Sequence, residues 1–272
     1  MSRINALFEK LKREQRTALM PYLCMGYPER ESARSLVPAL VEGGADLIEL
    51  GVPYSDPLAD GATIQAASQC ALENGMSLAR CLEQVAALRA AGVDVPLLLM
   101  GYYNPLLQMG LASFVERAQA ASVDGLIVPD LPPEEADDLQ NALRGALQAP
   151  EIDLVFLLAP TSDEARIRRV AARASGFLYL VSLVGVTGAR DHLPPELEAF
   201  IARVRAASDL PLAVGFGIGT PTQARRVAAA ADGVIVGSAL IRAIGSAHTA
   251  GRDPVQAAEA FVAELRAGMD TG

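Results

Sequence analysis

Eight short apolar runs, each followed by a helical pattern, are the feature that most restricts the fold of this chain. The runs cover residues 19–25, 47–51, 96–101, 125–128, 154–158, 177–181, 212–215 and 233–236. Because their hydrophobicity is continuous rather than alternating, they are typical of parallel strands with helices on both faces. Patterns rich in Ala, Arg and Glu predict helices over residues 31–43, 62–73, 78–91, 111–121, 133–148, 163–174, 195–206, 220–230, 237–244 and 253–267.

Two architectures share this local pattern, a closed (β/α)8 barrel and an open doubly wound sheet. Eight repeats of an apolar run and a helical pattern favour the barrel. A dinucleotide-binding fingerprint would favour the open sheet, but the glycines from Gly215 to Gly219 are followed by Thr220 where that fingerprint needs another small residue. The chain length of 272 residues fits one domain, 1–272, without a linker. We therefore predict a TIM barrel with an extra N-terminal helix, since the N-terminus is charged and amphipathic rather than a signal peptide.

The acidic balance of the chain limits what it can bind. The sequence contains 32 acidic and 23 basic residues, and its formal net charge is −9 at pH 7. This charge argues against nucleic acid and against an anionic membrane as partners. An anionic substrate would therefore need a local site built from backbone N–H groups rather than a basic patch.

The cysteines and the longest uncharged stretch bear on location. Cys24, Cys70 and Cys81 are scattered, without the spacing of a zinc site or a disulfide framework, which predicts reduced thiols and a cytoplasmic protein. Residues 95–115 carry no charge and are long enough to span a bilayer. Prolines and glycines interrupt them, however, so we interpret them as a buried strand, a loop and the start of a helix.

One apolar run contains a carboxylate, and two further acids follow it. Glu49 lies in the run 47–51, and the Pro- and Gly-rich loop after it carries Asp56 and Asp60. Burial between apolar neighbours would raise the pKa of Glu49 toward neutrality, where a carboxyl group can both give and take a proton. A second acid in a different environment would complete an acid–base pair. From these residues alone, a salt bridge for Glu49 and solvated loop acids explain the pattern equally well.

Residues 49–65 closely resemble the signature of the tryptophan synthase alpha subunit family. They read ELGVPYSDPLADGATIQ. Four further segments resemble that family in the same order, namely GLIVPDLP at 125–132, SLVGVTG at 182–188, GFGI at 215–218 and VGSA at 236–239. The resemblance extends over nearly the whole chain.

The resemblance implies a carbon–carbon lyase that acts in the last stage of tryptophan biosynthesis. Its reaction would be the retro-aldol cleavage of indole-3-glycerol phosphate to indole and glyceraldehyde 3-phosphate. Glu49 would protonate indole C3 and then take the hydroxyl proton, while Asp60 would accept from the indole N–H. The resemblance implies no metal or organic cofactor in this chain. It implies a beta subunit, in an alpha2-beta2 heterotetramer, that carries pyridoxal phosphate and receives the indole.

Glycine-rich loops follow the last two apolar runs, where barrels of this kind often bind phosphate. Gly217, Gly237 and Ser238 are the candidate donors of backbone N–H groups there. By resemblance, Gly188 adds another N–H, and Thr187 belongs to a lid that reaches toward Asp60.

Apolar residues near strand ends are candidates for an indole pocket, and exposed loop residues are candidates for a partner surface. The pocket candidates are Tyr22, Ile64, Leu99, Tyr102, Phe216 and, by alignment with the family, Tyr179. The partner-surface candidates are Asp56, Asn104 and Pro132.

Three other functions remain open from the sequence. A free-standing indole-glycerol-phosphate lyase would use the same site without a partner. A barrel isomerase or synthase would bind another sugar phosphate through the same glycines, without needing Glu49 and Asp60 together. An activator protein without catalysis is also conceivable, although the intact acid pair counts against it.

Overall fold

Eight parallel strands close into a barrel in chain order. The structure, a computed structural model, describes residues 1–145, 151–181, 195–215 and 217–270. The strands are β1 Ala18–Cys24, β2 Ile48–Gly51, β3 Leu97–Met100, β4 Gly125–Ile127, β5 Asp153–Leu158, β6 Leu178–Val181, β7 Leu212–Gly215 and β8 Gly233–Val236. Every predicted strand is present. The pairing of β1 with β8 closes the sheet and confirms the barrel over the open alternative.

The helices of the described residues surround the barrel and cover one end of it. They are α1 Arg3–Arg13, α2 Ala33–Glu42, α3 Ala62–Glu73, α4 Leu78–Ala90, α5 Tyr103–Met109, α6 Leu111–Ala120, α7 Asp137–Gly145, α8 Glu164–Ala171, α9 Pro195–Arg205, α10 Pro221–Ala228, α11 Ser238–Thr249 and α12 Pro254–Asp270. No helix among these residues combines the length and the hydrophobicity needed to cross a membrane.

Three helical segments differ from the prediction. Residues 103–109 form α5, where the prolines and glycines of the sequence predict a loop. Pro105 is the third residue of α5, in the first turn, where a backbone N–H has no intrahelical acceptor to lose. The predicted helix 133–148 is instead a 3-10 turn, Pro133–Glu135, followed by α7. Residues 146–148 of that prediction lie outside the described residues.

Helix α11 runs past Ile244, where the prediction ended it, as far as Thr249. The residue after Ile244 is Gly245, and a side chain there would collide with the hydroxyl of Tyr27. Gly245 therefore makes room for a neighbouring ring and does not terminate the helix.

Alternate strand residues face the barrel interior and the helix layer, as the pleat of a strand requires. On β3, Leu98 packs with the interior cluster, whereas Leu97 and Leu99 pack with the cluster that joins strands to helices. On β2, Ile48 and Leu50 belong to that outer cluster. Glu49, between them, must therefore point into the barrel.

Helix α1 confirms the predicted N-terminal helix and closes the bottom of the barrel. Ile4, Phe8 and Leu11 are buried on one face of α1 and join the interior cluster. The ring centroid of Phe8 lies 5.9 Å from that of Phe177, the residue before β6. This apolar floor leaves the opposite end of the barrel as the place for a site.

Asp124 ties three elements together beside this floor. Its carboxylate accepts from Leu97 N at 2.8 Å, from Arg3 Nη1 at 2.9 Å and from the guanidinium of Arg89 on α4. Arg89 also donates to the carbonyl oxygens of Val93 and Val95. The side chains of Asp124 and Arg89 are 2% and 11% exposed, so solvent cannot replace either partner.

Asp124→Ala is expected to lower the free energy of unfolding by about 3–5 kcal/mol, because it leaves a buried guanidinium and the Leu97 N–H without an acceptor. Urea denaturation measures this change. The matched control is Glu31→Ala, which breaks the exposed pair with Arg34 and should cost less than about 1 kcal/mol. Equal losses in the two variants would show that Asp124 does not hold the bottom of the barrel together.

Candidate active site

A cavity of about 580 Å³ opens at the C-terminal ends of the strands. Side chains from both the strands and the loops that follow them line it. They are Tyr22, Glu49, Ala59, Asp60, Gly61, Ile64, Met100, Pro129, Leu157, Tyr179, Val181, Gly217, Ile218, Gly219, Thr220, Gln223, Ile235, Gly237, Ser238, Ala239 and Arg242. This is the end where barrels of this architecture hold their active sites.

Glu49 lies at the inner end of the cavity and is fully buried. It is in register with Tyr22 of β1 and with Leu98 of β3. Neither carboxyl oxygen has a hydrogen-bond partner within the described part of the chain, which rules out the salt bridge that the sequence left open there. Burial raises the pKa of Glu49 from 4.5 to about 8. At neutral pH the group is therefore mostly a neutral acid that faces the cavity.

Asp60 faces the same cavity from the loop between β2 and α3. Its backbone N–H donates to Pro57 O at 3.0 Å, and its carbonyl accepts from Gln65 Nε2 at 2.9 Å. Its Oδ2 accepts from the hydroxyl of Tyr102 at 3.1 Å. Partial burial raises the pKa of Asp60, and the bond from Tyr102 opposes that rise. The two acids thus stand in different environments.

Two tyrosines extend over strand ends that glycines leave open. A side chain at Gly51, the last residue of β2, would collide with the hydroxyl end of Tyr22. A side chain at Gly215, the last residue of β7, would collide with that of Tyr179. Burial raises the pKa of both tyrosines, and the charges of nearby acids add to the rise, so both hydroxyls stay protonated.

Backbone groups from the loops after β7 and β8, and one arginine, also line the cavity. Gly217, with φ of +76°, lies in the loop after β7, in a conformation that favours glycine. Gly237 precedes α11, whose first-turn N–H groups receive no bond from a capping side chain. Ser238 opens α11, and Arg242 lies one turn further along the helix, where it is exposed. The arrangement combines a helix N-terminus with a cation, which suits an anion.

Most predicted site residues meet at this cavity, but three predictions need correction or comment. Leu99 points toward the helix layer and does not line the cavity, because strand alternation places Met100 there instead. Tyr102 lies behind Asp60 rather than in the cavity wall. No described residue donates a hydrogen bond to Glu49, and that includes Tyr179.

Several predicted residues lie outside the described residues or away from the cavity. Gly188, Thr187 and Phe216 are outside the described part of the chain. The partner-surface candidates Asp56, Asn104 and Pro132 are all exposed on loops or helix ends near the cavity mouth.

The sequence reading missed Met100, Leu157, Ile218 and Arg242 as cavity residues. Alternation along β3 and β5 could have found the first two. The spacing of four residues from Ser238 to Arg242 places both on one face of α11 and could have found the last. The described residues contain no group of three or more metal-ligating side chains.

A family model described as tryptophan synthase alpha chain matches residues 8–270. The chain belongs to the tryptophan synthase alpha chain family. The alpha chain of Roseiflexus castenholzii is 54% identical over 266 residues, which cover 98% of this chain and 100% of that one. The Legionella pneumophila alpha subunit superposes with a TM-score of 0.92 at 40% identity over the full length of both. A chain of Mycobacterium tuberculosis tryptophan synthase gives 0.88 at 38% identity, covering 100% and 99%.

Membership of the tryptophan synthase alpha chain family confirms the resemblance found in the sequence. It makes the chain a carbon–carbon lyase of tryptophan biosynthesis. The family match also spans every element that contributes to the cavity. Glu49, the buried acid of that cavity, therefore lies within the part of the chain that the family model matches.

In this alpha chain, Glu49→Gln is expected to raise stability more at pH 8 than at pH 4.5. The folded chain holds the Glu49 proton up to a pKa of about 8, whereas the unfolded chain releases it near 4.5. The free energy of unfolding therefore falls as pH rises between these values and levels off above them. Glutamine removes this dependence, which is worth about 4 kcal/mol between pH 4.5 and 8. The melting-temperature difference, variant minus wild type, should therefore grow by about 10 °C, at about 2–4 °C per kcal/mol.

The glutamine amide is also buried, so the pH dependence of the difference is diagnostic and its absolute size is not. The matched control is Glu198→Gln, at an exposed glutamate on α9. A melting-temperature difference for Glu49→Gln that stays constant from pH 4.5 to 8 would contradict the assignment of a raised pKa.

Proposed function

We propose that Glu49 and Asp60 catalyse the alpha reaction of this family in the cavity described above. That reaction cleaves indole-3-glycerol phosphate to indole and glyceraldehyde 3-phosphate. The observation that carries the proposal is the unpartnered, fully buried Glu49, which faces a second acid of different environment across one cavity. A buried carboxyl group without a partner costs folding free energy, and a catalytic use explains why this position carries it.

The raised pKa of Glu49 matches the first proton transfer. At neutral pH Glu49 carries a proton that it can give to indole C3. Protonation at C3 places positive charge on the ring nitrogen, and the Asp60 carboxylate accepts from that N–H. Glu49, now ionised, takes the proton of the hydroxyl next to the ring. The C3 side-chain bond then breaks, its electron pair returns to the ring, and the hydroxyl carbon becomes the aldehyde. Glu49 ends the cycle protonated.

The remaining cavity walls suit the two ends of this substrate. Ile64, Met100 and Leu157 supply apolar surface for the indole ring on the side of the two acids. Gly217, Gly237 and Ser238 would donate backbone N–H groups to the phosphate. The exposed Arg242 adds a positive charge beside them, which an acidic protein needs to attract a dianion. Gly188 and Phe216 remain predicted members of the site.

An exposed apolar surface supports docking of a beta subunit at the cavity mouth. Leu58, on the loop that carries Asp60, is 94% exposed, and Leu107 on α5 is 49% exposed. Exposed apolar side chains are typical of an interaction surface where they form a contiguous patch. Asp56 lies on the loop of Leu58, Asn104 lies in α5 with Leu107, and Pro132 lies on the loop after β4; all three would border this surface. Thr187 remains the predicted lid contact with Asp60.

We further propose that the chain works in an alpha2-beta2 assembly, as one barrel domain in the cytoplasm. The closed strand order and the packing of α12 against α2, α10 and α11 support one domain. The free thiols of Cys24, Cys70 and Cys81 support a reducing compartment. The chemistry above needs only side-chain acids, so no cofactor is assigned to this chain, and pyridoxal phosphate is assigned to the beta subunit alone.

Glu49→Gln and Asp60→Asn are each expected to lower kcat for indole release from indole-3-glycerol phosphate by about 10²–10⁴. Each replacement keeps the side-chain shape and removes the proton transfer or the negative charge. The assay uses purified protein, with and without a beta subunit, and circular dichroism verifies the fold. Glu73→Gln, at the exposed C-terminal end of α3, is the control. Retention of more than about a tenth of wild-type turnover in both site variants would overturn the proposal.

Gly237→Ala is expected to weaken binding of inorganic phosphate several-fold without unfolding the protein. The new methyl group would meet Tyr22 Cβ at 3.5 Å, an ordinary contact. It would nevertheless crowd an anion at the N-terminus of α11. Arg242→Gln should weaken the same binding and reduce its dependence on salt. Calorimetric titration with phosphate measures both. Unchanged affinity in the two variants would place the anion elsewhere.

A further inference from the structure

Tyr102 connects the catalytic loop to the next loop of the barrel. It follows β3 and is the N-terminal capping residue of α5. Its hydroxyl oxygen accepts from Ala59 N at 2.9 Å and donates to Asp60 Oδ2 at 3.1 Å. One phenol group thus contacts both the backbone and the carboxylate of consecutive residues. A residue that only lined an apolar pocket would need neither bond.

The ring of Tyr102 is held as firmly as its hydroxyl. The ring is buried and stacks on Tyr54, with centroids 5.1 Å apart and an interplanar angle of 28°. Tyr54 is fixed in turn, since its N–H donates to Ser68 Oγ at 2.9 Å and its hydroxyl accepts from Asn104 at 3.3 Å. The donor to Asp60 is therefore preorganised from both sides.

The other side of the loop is anchored separately. Gln65 of α3 donates to the carbonyl of Asp60, which fixes the main chain but not the carboxylate. Within the described part of the chain, the hydrogen bonds reach the Asp60 carboxylate only at Oδ2. Because Oδ2 accepts from Tyr102, Oδ1 is the carboxylate oxygen that is left to bind a ligand in the cavity.

We propose that Tyr102 is the positioning residue of Asp60: its hydroxyl fixes the carboxylate so that Oδ1 faces the indole N–H. This inference rests on the proposed function of Asp60. It moves Tyr102 from the indole contact predicted from the sequence to a role exerted through Asp60.

The electrostatic surroundings give this bond a measurable effect. A hydrogen bond to the ionised form of a carboxyl group lowers its pKa, and here it opposes the effect of burial. For Asp60, that hydrogen-bond donor is the hydroxyl of Tyr102. The other titratable groups around the Tyr102 hydroxyl and the Asp60 carboxyl are Glu49, Tyr22, Tyr179, Cys24, Asp130 and the more exposed Arg242.

The test is Tyr102→Phe, which keeps the ring and its stack but removes the donor. The pKa of Asp60 should rise, so the acid limb of the pH profile of kcat/KM should move to higher pH by about half a unit or more. The limb set by Glu49 should stay where it is. At neutral pH, kcat/KM should fall by about tenfold or more, as for loss of a hydrogen bond to a charged group. Affinity for inorganic phosphate should not change.

The matched control is Tyr54→Phe, which removes a hydroxyl from the other ring of the same stack. That hydroxyl contacts Asn104 and not Asp60. The control should keep the wild-type acid limb. A direct titration of the Asp60 carboxyl by carbon NMR gives the same comparison without turnover, and Tyr102→Phe should shift it upward.

The outcomes separate this inference from the proposed function. If Asp60→Asn abolishes cleavage but Tyr102→Phe leaves both the acid limb and the Asp60 titration unchanged, the role of Tyr102 is wrong and the function stands. If Asp60→Asn retains activity, the catalytic assignment itself fails. If Tyr102→Phe and Tyr54→Phe shift the acid limb equally, the stack and not the hydroxyl positions Asp60, which also overturns the inference.

Discussion

The burial of Glu49 without a partner is the constraint on which the rest of this site depends. The barrel places Ile48 and Leu50 against the helices, so the side chain between them enters the interior. No described neighbour neutralises it, and the unfavourable burial keeps its proton bound at neutral pH. The same absence of partners that weakens the fold gives Glu49 the protonation that its proposed role as a general acid needs. Under that proposal, stability and catalysis oppose each other at one residue.

Asp60 shows how the barrel gives a second acid a different behaviour. A loop brings it to the cavity, and hydrogen bonds from Gln65 and Tyr102 hold it there. Glu49 receives no such bond, and it lies on β2, which pairs with a strand on each side. Burial raises the pKa of Glu49 without opposition, whereas at Asp60 the bond from Tyr102 opposes the effect of burial. Such a difference in environment is the usual physical basis for two carboxyl groups with different roles.

Much of this structure could be predicted from the sequence, and the exceptions have physical reasons. Continuous apolar runs located all eight strands because parallel strands are covered on both faces. The runs do not show which residues face inward, so the sequence predicts Leu99 for the indole pocket, whereas Met100 lines the cavity. Composition suggested that Pro105 breaks a helix, but only the fold shows that it lies in a first turn. The bond from Tyr102 to Asp60 joins residues 42 positions apart and has no local signal.

The floor made by α1 has a consequence for molecular traffic. Ile4, Phe8 and Leu11 fill the bottom of the barrel together with Phe177, and the interior above them is packed with side chains up to Glu49. In the proposed mechanism, indole forms beside Glu49 with this packed floor below it. The cavity is open at the other end of the barrel, beside the loop that carries Asp60 and the exposed Leu58. A beta subunit docked at that open end would therefore lie on the side from which indole leaves, so the closed floor of the barrel gives the proposed reaction a direction in space.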